Sequence, residues 1–141
     1  MSEPSRKAGH GGSGDVVRRQ FDAFRDSLDA AAEFWDADID WRAAEGAADD
    51  VGVMKGTEAL RRYYRQWIES FDELRAEVEE VIVETGNRCA VEVRNSGRPH
   101  GSDAVVRGRY FVVCTVRQGR IVSGREYESR REALAAIGVS E

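Results

Sequence analysis

The sequence has no long apolar run and no signal-peptide segment, and the first of these absences argues against a membrane-spanning helix. No stretch approaches the ~20 consecutive apolar residues that a membrane-spanning helix needs, so no membrane partner is expected. The first residues lack the apolar core of a signal peptide, which favours a cytoplasmic location. What is present is a chain of 141 residues, 41% of them hydrophobic, which suits one soluble globular domain.

Histidine and cysteine are also scarce, which leaves few groups to hold a metal. The chain has two histidines and two cysteines and contains no CxxC or HxxxH pattern, so we expect no metal site and no cofactor. Two cysteines are too few for a disulfide framework. Cys89 and Cys114 lie in apolar, strand-like runs, where a free thiol behaves as a small hydrophobic side chain.

Basic residues are outnumbered by acidic ones, 21 against 26, which gives a net charge of −5. Binding to nucleic acid needs a concentrated basic face that neutralises phosphates. We therefore expect no nucleic-acid partner.

The N-terminal half of the chain predicts a leader, two helices and a short strand. Residues 1–14 are rich in glycine and serine, which predicts a flexible leader before a single domain over 15–141. An apolar stripe then predicts one long amphipathic helix from Asp15 to Trp35. Residues 38–42 alternate like a short strand, 43–53 read as a loop, and a second helix opens at Gly56-Thr57, with Thr57 as its N-cap.

The C-terminal half changes to a period of two, which predicts strands. Turn residues separate four long candidates and thus favour an antiparallel meander, and a last short helix ends at Gly138. The candidate strands cover 74–85, 88–95, 105–117 and 120–128, and the last helix covers 130–137. A meander cannot bury both of its faces alone, so the helices must pack on one of them. The predicted fold class is α+β, with a cone-like curved antiparallel sheet packed on N-terminal helices.

Three phrases resemble the SnoaL-like family of the nuclear transport factor 2-like superfamily. They are DADIDW, GTEALRRYYRQW and VRQGRIVSGREYESRREALAAIG, and the resemblance covers residues 16–138. It implies a cystatin-like α+β roll enclosing a cavity. Members of this superfamily include polyketide cyclases, ketosteroid isomerases, epoxide hydrolases, dehydratases and non-enzymatic binding proteins, so the fold alone does not settle the function.

The resemblance implies ketosteroid isomerase chemistry as one possible activity. It needs a tyrosine on the first helix, a protonated carboxylic acid on a late strand and an aspartate base near the early strand. The matching positions hold Gln20, Val112 and about Ala43. None of the three groups is present, unless Glu45 replaces the base through a shifted register.

Epoxide hydrolase chemistry of the limonene type uses an Asp–Arg–Asp trio. The family phrase Arg-Asp-Tyr is matched by Arg125-Glu126-Tyr127, with glutamate for aspartate. Glu92 and Arg94 would supply the rest, since residues two apart share one strand face, although the alternate face with Cys89, Val91 and Val93 is an equal candidate for the inside. We name Glu126, Arg94 and Glu45 as candidate catalytic residues.

Cyclase chemistry of the SnoaL type uses an Asp/His acid–base pair, and the chain offers little for it. His100 lies in GRPHGS, a hairpin tip, and such tips are usually exposed. Val112 occupies a strand position that is often histidine in related sequences. A solvated loop residue is the better interpretation of His100.

Aromatic side chains from helix and sheet are expected to line the cavity. An aromatic-rich concave site with few polar groups is the usual ligand pocket. The predicted ligand-binding residues are Trp41, Tyr64, Trp67, Phe71, Phe111 (with Tyr110 as the alternative at that place) and Tyr127.

Our main hypothesis is a protein that binds a small, largely apolar molecule in this cavity. The alternative is a cofactor-independent hydrolase, isomerase or cyclase in which Glu126 is the general acid or base. A third reading is a subunit that only supports oligomer formation. In all three cases a homodimer is expected, because the sheet has a second face that needs cover.

Overall fold

The helices and strands follow the predicted order, with one helix (α2) and one short strand (β2) more than expected. The structure, a computed structural model, describes residues 12–46 and 52–138. Its elements are α1 (Ser13–Ala23), α2 (Leu28–Ala32), β1 (Trp35–Arg42), β2 (Val53–Lys55), α3 (Thr57–Ser70), β3 (Phe71–Thr85), β4 (Arg88–Pro99), β5 (Val106–Arg117), β6 (Arg120–Tyr127) and α4 (Arg130–Ile137).

The prediction of one long helix from Asp15 to Trp35 is wrong, because the first helix ends at Ala23, with Phe24 as its C-cap. The Ser27 hydroxyl accepts a hydrogen bond from the Ala30 N–H at 2.9 Å and so begins a separate helix, α2. Serine favours such a cap over a helix interior. Trp35 then opens β1 instead of closing a helix.

The ends of the other elements shift by a few residues at most. Ser13 and Gly14, assigned to the leader, already belong to α1, while the rest of the predicted leader up to residue 11 lies outside the described residues, as do residues 47–51 of the predicted loop. Thr57 is the first residue of α3, and Gly56, with φ at +88°, is its N-cap. Phe71 begins β3 instead of ending α3.

The six strands form one curved, unclosed sheet in the order β2-β1-β6-β5-β4-β3. Strands β3 to β6 form the predicted antiparallel meander. The first strand pairs with the last in parallel, with Trp41 opposite Gly124. Register shifts interrupt the β3–β4 and β5–β6 ladders, and such bulges bend a sheet.

The two faces of the sheet carry separate apolar clusters. The inner face, against α1 and α3, includes Cys89, Val91 and Val93 of β4. On the outer face, Ala90 packs with Phe111 under α4. The meander therefore has helices on both of its faces. None of the helices within the described ranges is long and apolar enough to cross a membrane.

Candidate functional site

The inside of the cone is an aromatic cluster centred on Tyr64. The Tyr64 ring, on α3, lies 4.9 Å from the Phe24 ring and 5.4 Å from that of Tyr63. Two indoles of β1 complete the cluster: Trp35 stacks on Tyr64 at 6.0 Å, and Trp41 meets it edge-on at 6.3 Å. These separations are typical of attractive aromatic pairs.

Glu126 brings a carboxylate to the edge of this cluster. Its register partner on β5 is Val112, which faces inward, so Glu126 lies on the inner face as well. The Trp41 indole N–H donates a hydrogen bond to Glu126 Oε2 at 2.8 Å. Gly124 makes this contact feasible, since a Cβ there would lie 2.3 Å from the Trp41 ring.

The Tyr64 hydroxyl is buried and has no hydrogen-bond partner among the described residues. Burial raises the pKa of Tyr64 well above its ordinary value, and Tyr110 and Glu126 add to the shift because their charged forms disfavour a tyrosinate nearby. The group is therefore a neutral O–H at physiological pH. Its hydrogen is available for donation to an acceptor.

Gln20 supplies a second buried polar group. It is fully buried on α1, and its Oε1 accepts a hydrogen bond from the Trp35 indole N–H at 2.9 Å. Its Nε2 has no partner among the described residues. The sequence carries a signal for it, because Gln20 interrupts the apolar stripe formed by Val16, Val17 and Phe21.

An open cleft of about 240 Å³ lies where β1 and β6 end. Glu126 and Ala43 form part of it. Since Ala43 also belongs to the inner cluster, the cleft adjoins the aromatic interior. Its other lining residues are Arg42, Ala44, Glu45, Arg125, Tyr127, Glu128 and Glu132.

The aromatic wall predicted from the sequence is split between the two faces of the sheet. Trp41 and Tyr64 lie in the inner cluster, and their contact with a ligand stays a prediction. Phe111 and Tyr127 pack with α4 on the outer face, so the prediction that they share a wall with Trp41 is wrong. The physical reason is the alternation of side chains along a strand, which turns Tyr110, the alternative to Phe111, inward.

Trp67 and Phe71 form a separate stacked pair, with ring centroids 5.7 Å apart. Trp67 packs against the inner cluster from α3. Phe71 covers Gly97 of β4, where a Cβ would lie 2.9 Å from its ring. Trp67 thus joins the inner cluster, whereas Phe71 packs on Trp67 and Gly97. Contact of the pair with a ligand stays a prediction.

Of the candidate catalytic residues, Arg94 does not meet Glu126. Arg94 is on the outer face of β4, 3.4 Å from Glu79 and 3.6 Å from buried Glu92, and Arg109 approaches the same Glu92. The trio proposed by analogy with epoxide hydrolase is therefore not assembled. The alternative inward set, with Cys89, Val91 and Val93, is the one that faces the cone.

Glu45 lies at the cleft but points into solvent. Its side chain is 86% exposed and 3.5 Å from Arg42. Exposed ion pairs of this kind contribute little to stability. Glu126 is thus the candidate acid that combines the cleft with the aromatic interior.

A second open groove lies on the outer face of the sheet, lined by Asp36, Asp38 and Asp40 of β1 and by Arg117 of β5. Asp40 is ion-paired with Arg125 at 2.6 Å. Among residues 12–46 and 52–138, no aromatic side chain lines this groove, and it is therefore unlike the site expected from the sequence.

Comparisons with known proteins agree with this architecture. A family model, described as the SnoaL-like domain, matches residues 17–124, whereas no curated protein matches the chain significantly. Three similar solved structures show the shared fold. Bal32a from a soil-derived mobile gene cassette is 21% identical with a TM-score of 0.70, covering 86% of this chain and 92% of that one. An NTF2-like protein of unknown function from Burkholderia pseudomallei is 19% identical with a TM-score of 0.70, covering 90% and 98%. A protein with a ketosteroid isomerase-like fold from Catenulispora acidiphila, in complex with trimethylamine, is 18% identical with a TM-score of 0.67, covering 88% and 92%.

Proposed function

Because this chain belongs to the SnoaL-like domain family, we propose that it binds a small, largely apolar molecule inside the cone, with the ligand's polar group near Tyr64 and Glu126. One observation carries the proposal. A buried tyrosine hydroxyl without a partner among the described residues lies in an aromatic cluster that adjoins an open cleft.

The chemistry of the inner cluster supports such a ligand. Aromatic rings from α1, α3 and β1 offer an apolar surface, while a single carboxylate and two amide or hydroxyl groups offer orientation, which is the usual make-up of a small-molecule site. The protein from Catenulispora acidiphila with the same fold was solved with trimethylamine, itself a small molecule. That likeness supports the class of ligand by size, without fixing its identity.

Binding is tested with toluene and phenol, two single-ring probes of similar size. The chain has three tryptophans, and their indole N–H signals in ¹⁵N-labelled protein report separately on Trp35, Trp41 and Trp67. We expect at least one probe to shift the Trp41 signal saturably, because the Trp41 N–H donates a hydrogen bond to Glu126, which lines the cleft. The titration gives the dissociation constant directly.

Two matched replacements of alanine by phenylalanine, one in the cleft and one outside it, test where the probe binds. Ala44→Phe places a ring in the cleft and should weaken probe binding at least tenfold, since Ala44 lines it. Ala37→Phe adds the same ring at an exposed position of β1 and should leave binding unchanged. Absence of a saturable shift with either probe, in wild-type protein with a native spectrum, would contradict the proposal.

Acid–base catalysis by Glu126 is the second candidate. The observation in its favour is that this carboxylate lies in the cleft and is held by the Trp41 N–H at 2.8 Å. A positioned carboxylate in a partly apolar site is suited to proton transfer. Glu126→Gln keeps an oxygen for the indole and removes the base, so turnover of a confirmed substrate should fall by about 100-fold or more. Unchanged turnover would remove this candidate and leave binding intact.

The outer face of the sheet is the surface through which two copies were expected to pair. There Arg94 and Arg109 surround the buried Glu92, beside the part covered by α4. Pairing of two copies through this face stays a prediction, and so does a cytoplasmic location.

A further inference from the structure

Two buried hydrogen-bond donors lie against the same indole in the cone. Trp35 donates to Gln20 Oε1 and stacks on the ring of Tyr64. Neither Gln20 Nε2 nor the Tyr64 hydroxyl has a partner among the described residues. Both side chains are at least nine-tenths buried, Gln20 at 0% and Tyr64 at 9% exposure.

The orientation of the Gln20 amide follows from its neighbour. An indole N–H only donates, so the oxygen of the amide must face Trp35, and the NH₂ group must point elsewhere. The two free hydrogens of Nε2 therefore remain available inside the protein. Tyr64 adds a third donor hydrogen, since burial raises the pKa of its hydroxyl well above the ordinary value.

Unpaired buried donors are costly. Leaving one without a partner costs about 1–3 kcal/mol, and most buried polar groups in folded proteins are therefore satisfied. A cationic group on the ligand would leave the Gln20 N–H unpaired, because that group accepts nothing. An oxygen, by contrast, carries two lone pairs and is the kind of acceptor that both donors lack.

We propose that Gln20 Nε2 and the Tyr64 hydroxyl receive an acceptor oxygen of the ligand, such as a carbonyl or phenol oxygen. This inference rests on the proposed binding function and specifies its ligand as an apolar molecule that carries oxygen. In a phenol, the same oxygen accepts from these donors while its own hydrogen is free to reach Glu126, whose carboxylate is on the inner face.

The test compares phenol with toluene, which differs by a methyl in place of the hydroxyl. Wild-type protein should bind phenol about tenfold more tightly than toluene, as expected for one good hydrogen bond of about 1.4 kcal/mol. Tyr64→Phe should reduce this preference to less than about threefold and leave the toluene affinity unchanged. The melting temperature of Tyr64→Phe should equal or exceed that of wild type, because the substitution removes an unpaired buried hydroxyl.

Two further variants separate the donors from general packing. Thr115→Val removes a hydroxyl on the outer face of β5, where Thr115 lines the second groove, and should keep the preference for phenol. Gln20→Met removes the amide donor and should lower the preference for phenol over toluene. Circular dichroism checks that this variant is folded; if Gln20→Met does not fold, the result for Tyr64→Phe decides.

The outcomes distinguish this inference from the proposed function. Equal binding of phenol and toluene to wild-type protein would overturn the acceptor-oxygen inference and leave the binding function standing. A preference that survives in Tyr64→Phe would also overturn it. Absence of binding by both probes would remove the two proposals together.

Discussion

Trp41 depends on a glycine two residues before the carboxylate that it binds. The fully buried indole lies across Gly124 on the neighbouring strand, with no space for a Cβ. From there its N–H reaches Glu126 Oε2. A side chain at Gly124 would move the indole, and with it the hydrogen bond that positions the carboxylate.

Gly124→Ala should therefore destabilise the protein by about 1–3 kcal/mol, the usual cost of overpacking a core. Urea unfolding monitored by circular dichroism measures the change. In a Trp41→Phe background the cost should shrink, because the smaller ring relieves the clash. Ser123→Ala, half-buried on the opposite face of the same strand, is the control and should change stability by less than about 0.5 kcal/mol. A cost that persists undiminished with Trp41→Phe would contradict the packing argument.

In the strands, the sequence pattern does not determine which side chains face the inside of the cone. Residues 110–114 of β5 are all apolar or sulfur-containing, so alternation cannot tell the inner face from the outer. The deciding element is α4, which buries Phe111 and Val113 on the outer face through Ala133 and Ile137. The sequence predicted this helix within its observed bounds, Arg130–Ile137, but not the face that it covers.

Local signals account for what was predicted, and long-range pairing for what was not. Turn residues and a period of two predicted the meander, and Gly138, in the left-handed conformation, ends α4 as expected. The parallel pairing of β1 with β6 joins residues over 80 positions apart and leaves no local trace. That pairing brings Trp41 to Glu126, whereas Arg94, a partner expected for this carboxylate, lies on the outer face of β4.

The protein as a whole should be sensitive to alkali, because three groups that ionise at high pH are buried together. Cys89 and Cys114 lie opposite each other on β4 and β5, and both are fully buried free thiols. Burial raises the pKa of Cys89 from 9.0 to about 11 and that of Cys114 well above 9.0. Tyr64 shifts in the same direction for the same reason.

The sign of the effect follows from proton linkage. As pH rises above 9, the unfolded chain loses the thiol protons first, while the folded state keeps them, so the free energy of unfolding falls. Below pH 9 the stabilisation from burying the Cys89 thiol is fully present. Between pH 9 and about 11 its loss lowers the free energy of unfolding by an amount on the order of 2–3 kcal/mol. Urea unfolding at a series of pH values measures this slope. Cys89→Ala starts from lower stability but should show a shallower decline, because one ionising thiol is gone. An equal slope in wild type and variant, or native thiols that react with a disulfide reagent as fast as those of the urea-unfolded chain, would show that burial does not protect these groups.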